Sequence, residues 1–448
     1  MTETRRSMFV LDDGRNVVVT FILVCSLFLL WGFCNGMIDV MDKHFQTELH
    51  LTLAQSAWVQ FAHYLGYFLM AIPAGWLATK LGYKGGIIAG LLLVAVGGFW
   101  FIPATSIGAF WAFLVGVCVI AAGLTFLETI ANPYTTVLGS DRYAATRINL
   151  AQSCNGVGWI FGPIAGAAFF YGKDASGNST GAATLWIPYA AVGVVVLLLA
   201  VVFYFANVPD VRMKDDYHLD DGSADAPHSI WTHPHFVFAV AAQFLYVAAQ
   251  AGIFSFFINY MTSQTPPVPE AWRTGVLAGW IEQGQGGPLR LTDQGAATLA
   301  SLGFVCFLVG RFTGAGILRT FAAHRVLGLY GVVNVMVCLL VVLKLGWFSV
   351  ACVFLSYFFM SIMFPTIFAL GIHGLGARAK KASAFIVMAI MGGAILPKLM
   401  GAVGDAYDMS RAFAVPMVCF AAVAAYGYAW PRLSRTGGRA AVKALGGH

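Results

Sequence analysis

The sequence predicts an all-α polytopic membrane protein, with twelve spanning helices in two pseudo-symmetric six-helix bundles around a central cavity. Three observations carry this. The 448-residue chain is 59% apolar and only 10% charged, against roughly 25% charged in a soluble domain, and its mean hydropathy is +0.76. Its apolar residues fall into long runs, and a spanning helix needs about 20 of them. Its two halves share landmarks at matching places, as expected for parallel repeats related by an axis along the membrane normal.

Twelve runs are long enough, at roughly 17–43, 54–79, 84–104, 108–138, 148–171, 184–207, 235–262, 295–318, 326–344, 347–374, 382–403 and 412–430. The first lacks a small-residue cleavage site behind it, so it reads as a retained helix rather than a signal peptide. An even number puts both termini on one side of the membrane. Eighteen Lys and Arg, among them Arg15, Lys80, Lys84, Arg147 and Arg325, fall on that side, against six on the other. Positive charge is retained inside, so both termini are expected in the cytoplasm of a multi-pass protein of the bacterial inner membrane. Residues 208–234, rich in Asp, Pro and His, divide a first bundle (1–207) from a second (235–448). Residues 263–294, with Pro266-Pro267 and several glycines, form an external loop that has room for a short amphipathic piece.

The repeat shows in the loops. Gly75-Trp-Leu-Ala-Thr-Lys-Leu-Gly-Tyr-Lys84 follows the second span, and Gly316-Ile-Leu-Arg-Thr-Phe-Ala-Ala-His-Arg325 follows the eighth, with Gly, Leu and the last basic residue at the same spacing. Pro133 in the fourth span answers Pro365 in the tenth, and Pro163 in the fifth answers Pro397 in the eleventh.

The chemistry concentrates in the first half. Glu128 sits inside the fourth span, where an isolated charge costs about 2.5–3.5 kcal/mol on insertion scales, so such a group marks a proton or substrate path by default. Asn132 follows one turn later on the same face. Asn35, Asp39 and Asp42 share a face of the first span, where Asp39 is the candidate proton-linked group and Asp42 belongs in the solvated outer interface. A carboxyl in a dry cavity disfavours its charge, and water on one side favours release. That would link proton occupancy to conformation. The competing reading of Glu128 is a structural pair with Arg311 or Asn132. Gln152 and Asn155 on the fifth span, with Gln250 and Asn259 on the seventh, both donate and accept and so suit vicinal hydroxyls; the alternative is that they tie helices together. Tyr64, Tyr67, Phe257, Tyr260 and Tyr357 could stack on a ring ligand or simply pack. Lys80, Lys84, Arg311 and Arg325 are candidate gating residues. Lys398 either reaches the interface or puts a cation opposite Asp39, and His63 either packs or relays protons. The eight cysteines are scattered without paired spacing, which indicates neither a disulfide framework nor a zinc site. The net charge of +6 is spread over short loops and does not point to nucleic acid. No nucleophile–base pair or ligand cluster in the spans points to an enzyme.

The 75–84 loop resembles the helix 2–3 loop signature of the major facilitator superfamily, with Thr79 standing where the acidic residue is usual. The finer resemblance is to the fucose/proton symporter family, whose branches carry L-fucose, glucose or galactose, and N-acetylglucosamine. It rests on Leu30-Trp-Gly-Phe-Cys-Asn-Gly-Met-Ile-Asp39, Tyr64-Leu-Gly-Tyr-Phe68, Leu127-Glu-Thr-Ile-Ala-Asn-Pro-Tyr134, Asn149-Leu-Ala-Gln-Ser-Cys-Asn155, Ser255-Phe-Phe-Ile-Asn-Tyr260, Gly310-Arg-Phe-Thr-Gly314 and Phe359-Met-Ser-Ile-Met-Phe-Pro-Thr-Ile-Phe368. The resemblance implies a monomeric proton-coupled monosaccharide importer working by alternating access, with the proton as coupling ion and no other cofactor. It places Asp39 and Glu128 on the family's two protonatable carboxylates. The rivals are a drug/proton antiporter, suggested by Gly158-Trp-Ile-Phe-Gly-Pro-Ile-Ala-Gly166, an N-acetylhexosamine or glucose/galactose porter, and a non-transporting membrane scaffold.

Overall fold

A computed structural model describes residues 8–11, 14–139, 144–171, 184–209, 230–270, 278–283, 287–375 and 379–445. Most of the 208–234 link, and Arg5, Arg6, Arg142, Lys173, Arg212, Lys214, Arg273 and Arg378, lie outside the described residues. So do the side chains of Thr79, Pro133, Arg319, Lys380, Lys381, Arg435, Arg439 and Lys443.

Nearly every described segment is helical. Among the described residues, ten helices are long and apolar enough to cross a membrane. The other two expected spans are also helical: the first arm of the Trp58–Ile107 helix and the polar helix Ala144–Phe170. Many large apolar side chains point outward, such as Val19 at 72% exposure, Leu198 at 61% and Phe205 at 80%. Lipid tails satisfy such a surface, and the helices keep their backbone groups bonded internally.

Two compact units emerge. The first comprises Met1–Leu49 and Ala62–Asp221, the second His50–Phe61 and Gly222–His448. The sequence division at 208–234 had put residues 50–61 with the first. They belong to the second because the short helix α2 (Leu53–Ser56) packs on a helix of that unit, described below.

The first unit is built on α1 (Val18–Glu48), most of α3 (Trp58–Ile107), α4 (Phe110–Val137), α5 (Ala144–Phe170) and α6 (Trp186–Phe205). α3 holds two expected spans joined at Gly82, whose φ of 67° and ψ of −179° suit a residue without Cβ and end one helix before the next begins. α1 and α5 pack closely. A Cβ on Gly158 would strike Leu29 O and Phe33 N, and one on Gly162 would meet Gly36 Cα at 2.7 Å. Small residues let helix backbones approach in this way. The glycine run that suggested an antiporter is therefore explained by the α1–α5 contact. Toward the other helices the core is aromatic, with Tyr189 of α6 stacked on Phe101 of α3 at 3.8 Å.

In the second unit three expected spans are interrupted. The seventh divides at Phe256 into α7 (Pro234–Ser255) and α8 (Phe257–Ser263). The tenth divides at Ser361–Ile362 into α11 (Trp347–Met360) and α12 (Met363–Ile372). Pro365 follows that break and has no N–H to continue the ladder. The eleventh runs as α13 (Ala379–Met388), one 3-10 turn, and α14 (Gly392–Ala406). Continuous helices complete the unit: α9 (Asp293–Thr320), α10 (Ala323–Val342) and α16 (Ala414–Leu445), the last preceded by the single turn α15 (Met409–Ala412). In the 263–294 loop the described structure is a hairpin of β1 (Ile281–Gln283) and β2 (Leu289–Leu291), paired Ile281 to Leu291. Leu289 and Leu291 are buried and Arg290 exposed, the two-residue period of a half-covered strand.

α2 is clasped to α14. The Asp405 carboxylate accepts from Leu53 N at 2.8 Å and Ala54 N at 2.9 Å, capping the first turn of α2. Gly401 leaves room for the Leu53 carbonyl, and Gly404 for its side chain. Lys398 places its ammonium 3.9 Å over the Trp58 ring.

Candidate functional site

The first unit gathers most of the expected site residues. Asn35 and Asp39 are both buried, at 8% exposure, on one face of α1. Asp42, expected in the solvated interface, is fully buried instead. The apolar part of α1 runs further than hydropathy suggests, because His44 and Phe45 beyond it are packed among Phe110, Phe113, Phe170 and Tyr171.

Glu128 on α4 lies in a crevice lined by Leu27, Phe28 and Trp31 of α1 and by Leu127 and Ala131 of its own helix. One turn on, Asn132 Oδ1 accepts from Gln152 Nε2 of α5 at 3.0 Å. Asn155 is buried and donates its Nδ2 to the Phe28 carbonyl at 3.3 Å. The three helices thus meet through their polar groups. Asn132 and Gln152 pair with each other while remaining partly accessible, so both keep bonding capacity for a ligand. Asn155 is mainly a tie between α5 and α1.

Beside Tyr64, another of the candidate stacking aromatics, Tyr67 on α3, enters this site. Its hydroxyl accepts from Trp31 Nε1 at 2.6 Å. Asn35, Glu128 and Tyr64 lie near enough to act on it electrostatically. His63, buried one turn earlier, packs its ring 5.1 Å from Tyr64 and 5.0 Å from Tyr67. A helical spacing of three or four from Tyr64 and His63 was the one sequence signal for this cluster.

In the second unit Gln250 is partly exposed on α7, and Asn259 is buried on α8, on either side of the Phe256 break. Three candidate stacking aromatics turn out to be core residues. Tyr357 is fully buried and stacked 4.6 Å from Phe254; Phe257 packs edge-on against it, and Tyr260 packs on Phe413. Of the candidate gating residues, Lys84 donates to the Ala206 carbonyl at the end of α6 at 2.9 Å, where a cation suits the helix terminus. Lys80 covers Trp76 at 3.9 Å. Arg311 lies 5.0 Å from the Phe307 ring, next to Tyr246. Arg325 is exposed. Lys398 is exposed and lies over the Trp58 ring.

Carboxylates set into two spans, paired amides between two helices and spans broken in mid-course define a multi-pass solute transporter. The family model of the Major Facilitator Superfamily matches residues 19–397, and the chain belongs to that superfamily. It is 36% identical to the L-fucose-proton symporter of Escherichia coli strain K12 over 92% of this chain and 93% of that one. It is 33% identical to a glucose/galactose transporter of Brucella abortus, over 90% and 91% of the two chains. A crystal structure of a variant of the Escherichia coli fucose–proton symporter superposes with a TM-score of 0.65 at 34% identity, covering 93% of this chain and 99% of that one. These relatives are transporters, not enzymes.

Proposed function

We propose that this chain is a proton-coupled monosaccharide importer that works by alternating access, with Asp39 and Glu128 as its proton-linked carboxylates. The observation that carries this reading is the placement of Glu128: a carboxylate in an aromatic crevice, one helical turn from the Asn132–Gln152 amide pair. A proton site that close to hydroxyl-binding groups lets one conformational change serve both cargoes. The names of the similar proteins, an L-fucose-proton symporter and a glucose/galactose transporter, support a hexose or deoxyhexose as substrate. Asn35, Tyr64, Asn132, Gln152 and Asn155 in the first unit, and Gln250 and Asn259 in the second, form the sugar-binding set. Lys80, Lys84, Arg311 and Arg325 act in gating. The proton is the coupling ion, with no other cofactor. The protein functions as a monomer in the bacterial inner membrane with both termini in the cytoplasm, a topology supported by its Lys and Arg asymmetry.

The test is external pH during sugar addition to de-energised proteoliposomes, with L-fucose, D-galactose, D-glucose, L-arabinose and N-acetylglucosamine as the panel. Alkalinisation with one sugar, absent in Asp39→Asn, is the expected result. Silence across the panel together with proton release on adding lipophilic cations would make the protein an antiporter.

A further inference from the structure

One end of the second unit gathers four histidines that the sugar and proton assignments leave without a role. His233 and His235 open α7, His324 opens α10, and His373 closes α12. Trp430 of α16 lies among them. Its ring stacks on His324 at 5.5 Å and meets His373 edge-on at 5.3 Å. Its Nε1 donates to the Leu370 carbonyl of α12 at 3.0 Å. One turn earlier, the Tyr426 hydroxyl donates to the His235 carbonyl at 3.2 Å. The His235 ring completes these ties, with its Nε2 3.0 Å from the His373 carbonyl. A carbonyl only accepts, so Nε2 carries the ring proton and Nδ1 is the bare nitrogen. His235 is 4% exposed, and its Nδ1 is buried without a partner among the described residues.

A second proton can enter this ring only at Nδ1. There the new N–H meets neither an acceptor nor a counter-charge. α7, α10, α12, α13 and α16 contain no Asp or Glu. His235 faces His233 on its own helix, 5.9 Å away, His373 on α12 and Tyr426 on α16. The turn Ile230–Thr232 before α7 brings no charge. The charged residues of α13 are lysines, Lys380 and Lys381, and those of α10 and α16 are basic too, Arg325 and Arg432 among them. α14 carries an acid, Asp405, but beyond Met400, which meets Gly252 at the far end of α7. His324, flat on an indole, sits where a cation is tolerated; His235 has no such relief. A buried donor left without an acceptor is costly, and more so when charged. We propose that His235 is an acid-sensitive latch, whose protonation loosens the end of α12 from α7 and slows transport. With His235 neutral, its Nε2 holds the end of α12 through the His373 carbonyl. With His235 charged, Nδ1 draws water, and the packed ends of α7, α12 and α16 part to admit it.

The side on which acid acts rests on the proposed topology, in which this end of α7 faces the cytoplasm. The latch itself is tested without transport. Hydrogen–deuterium exchange of the full chain in detergent is compared at about pH 7.5 and about pH 5.5, bracketing the ordinary histidine range, with intrinsic rates corrected. In the wild type, amide protection over 366–375 falls about tenfold at the lower pH, the effect of one linked proton over one unit below that range. Peptides of α9 keep their protection. His235→Gln retains an N–H for the His373 carbonyl and cannot titrate, so its protection holds at both pH values. His233→Asp supplies an N-cap to α7 and a carboxylate beside the imidazolium, and its protection holds as well. Should His235→Gln fail to fold, His233→Asp carries the test. Protection that pH leaves unchanged in the wild type, or that falls equally in all three proteins, would overturn the latch. Sugar counterflow in oriented membrane vesicles tests the regulation: acid on the cytoplasmic face slows the wild type and spares His235→Gln. Equal slowing of both proteins would overturn the regulatory role. Absence of counterflow in the wild type with every sugar of the panel would overturn the transport reading, and the exchange result would still decide the latch.

Discussion

Arg147, fully buried at the start of α5, donates to three backbone carbonyls. Its Nε donates to Thr135 O at 2.9 Å, its Nη1 to Met8 O at 3.0 Å, and its Nη2 to Gly139 O at 3.4 Å. Two of those carbonyls close the end of α4, where unsatisfied acceptors and the negative end of the helix dipole favour a cation. Hydrogen bonds to a charged group contribute roughly 1.5–3 kcal/mol each. Arg147→Ala should therefore lower stability by about 3 kcal/mol or more, read as a fall in melting temperature in detergent. Arg147→Lys should recover less than half, because one ammonium cannot span three carbonyls from a planar fork. In the sequence this arginine counted as one more positive charge on the cytoplasmic side. Charge counting weighs every Lys and Arg alike, and only the fold distinguishes a buried cap from a surface charge. Asp42 was misplaced for a similar reason: a thinning hydropathy profile does not reveal that aromatic rings from α4 and α5 close over the end of α1.

Among the helices, the contact of α2 with α14 was out of reach of the sequence, since its partners lie 352 and 351 residues apart. The acidic cap on Leu53 and Ala54 stabilises α2 by about 1 kcal/mol. In Asp405→Ala, a cysteine placed at position 53 should react faster with an aqueous maleimide than in an otherwise native background; equal rates would show that the cap does not hold the segment. Asp408 offers a pH-dependent counterpart. It caps α15 through Arg411 N at 3.0 Å and pairs with Lys344 at 2.9 Å. Burial alone would raise its carboxyl, but the Lys344 and Arg411 contacts outweigh that and hold it below the usual carboxylate range. Because the folded value is the lower one, this stabilisation is fully present above the ordinary Asp range near pH 4 and is lost as pH falls through the depressed value. Melting temperature below pH 4 should therefore fall more steeply in wild type than in Asp408→Asn. Helix positions were legible because apolar runs report the bilayer directly. The break at Phe256 was not, because no proline marks it, whereas the break at Ser361–Ile362 lies just before Pro365.

For the molecule as a whole, the transport reading turns on Glu128. Glu128→Gln mimics the protonated carboxyl, so sugar exchange should survive at least tenfold better than proton-driven net uptake, as measured in proteoliposomes. Equal losses in a folded variant would make Glu128 a binding or structural group. The family and the paired landmarks of the halves were legible from the sequence, and so were Glu128 and its amide neighbours. Tyr67 was legible as a candidate aromatic, but its bond to Trp31 was not, because the partner lies on another helix. The chain passes between the two compact units three times, after Leu49, Phe61 and Asp221. Residues 50–61 cluster with the second unit, so a cut in the 208–234 link would part them from it. A carboxy-terminal fragment cut there would lack residues 50–61 and expose the Gly401 and Gly404 groove that α2 fills. Expressed alone it should be degraded, and co-expression with the amino-terminal fragment should restore its level on an immunoblot.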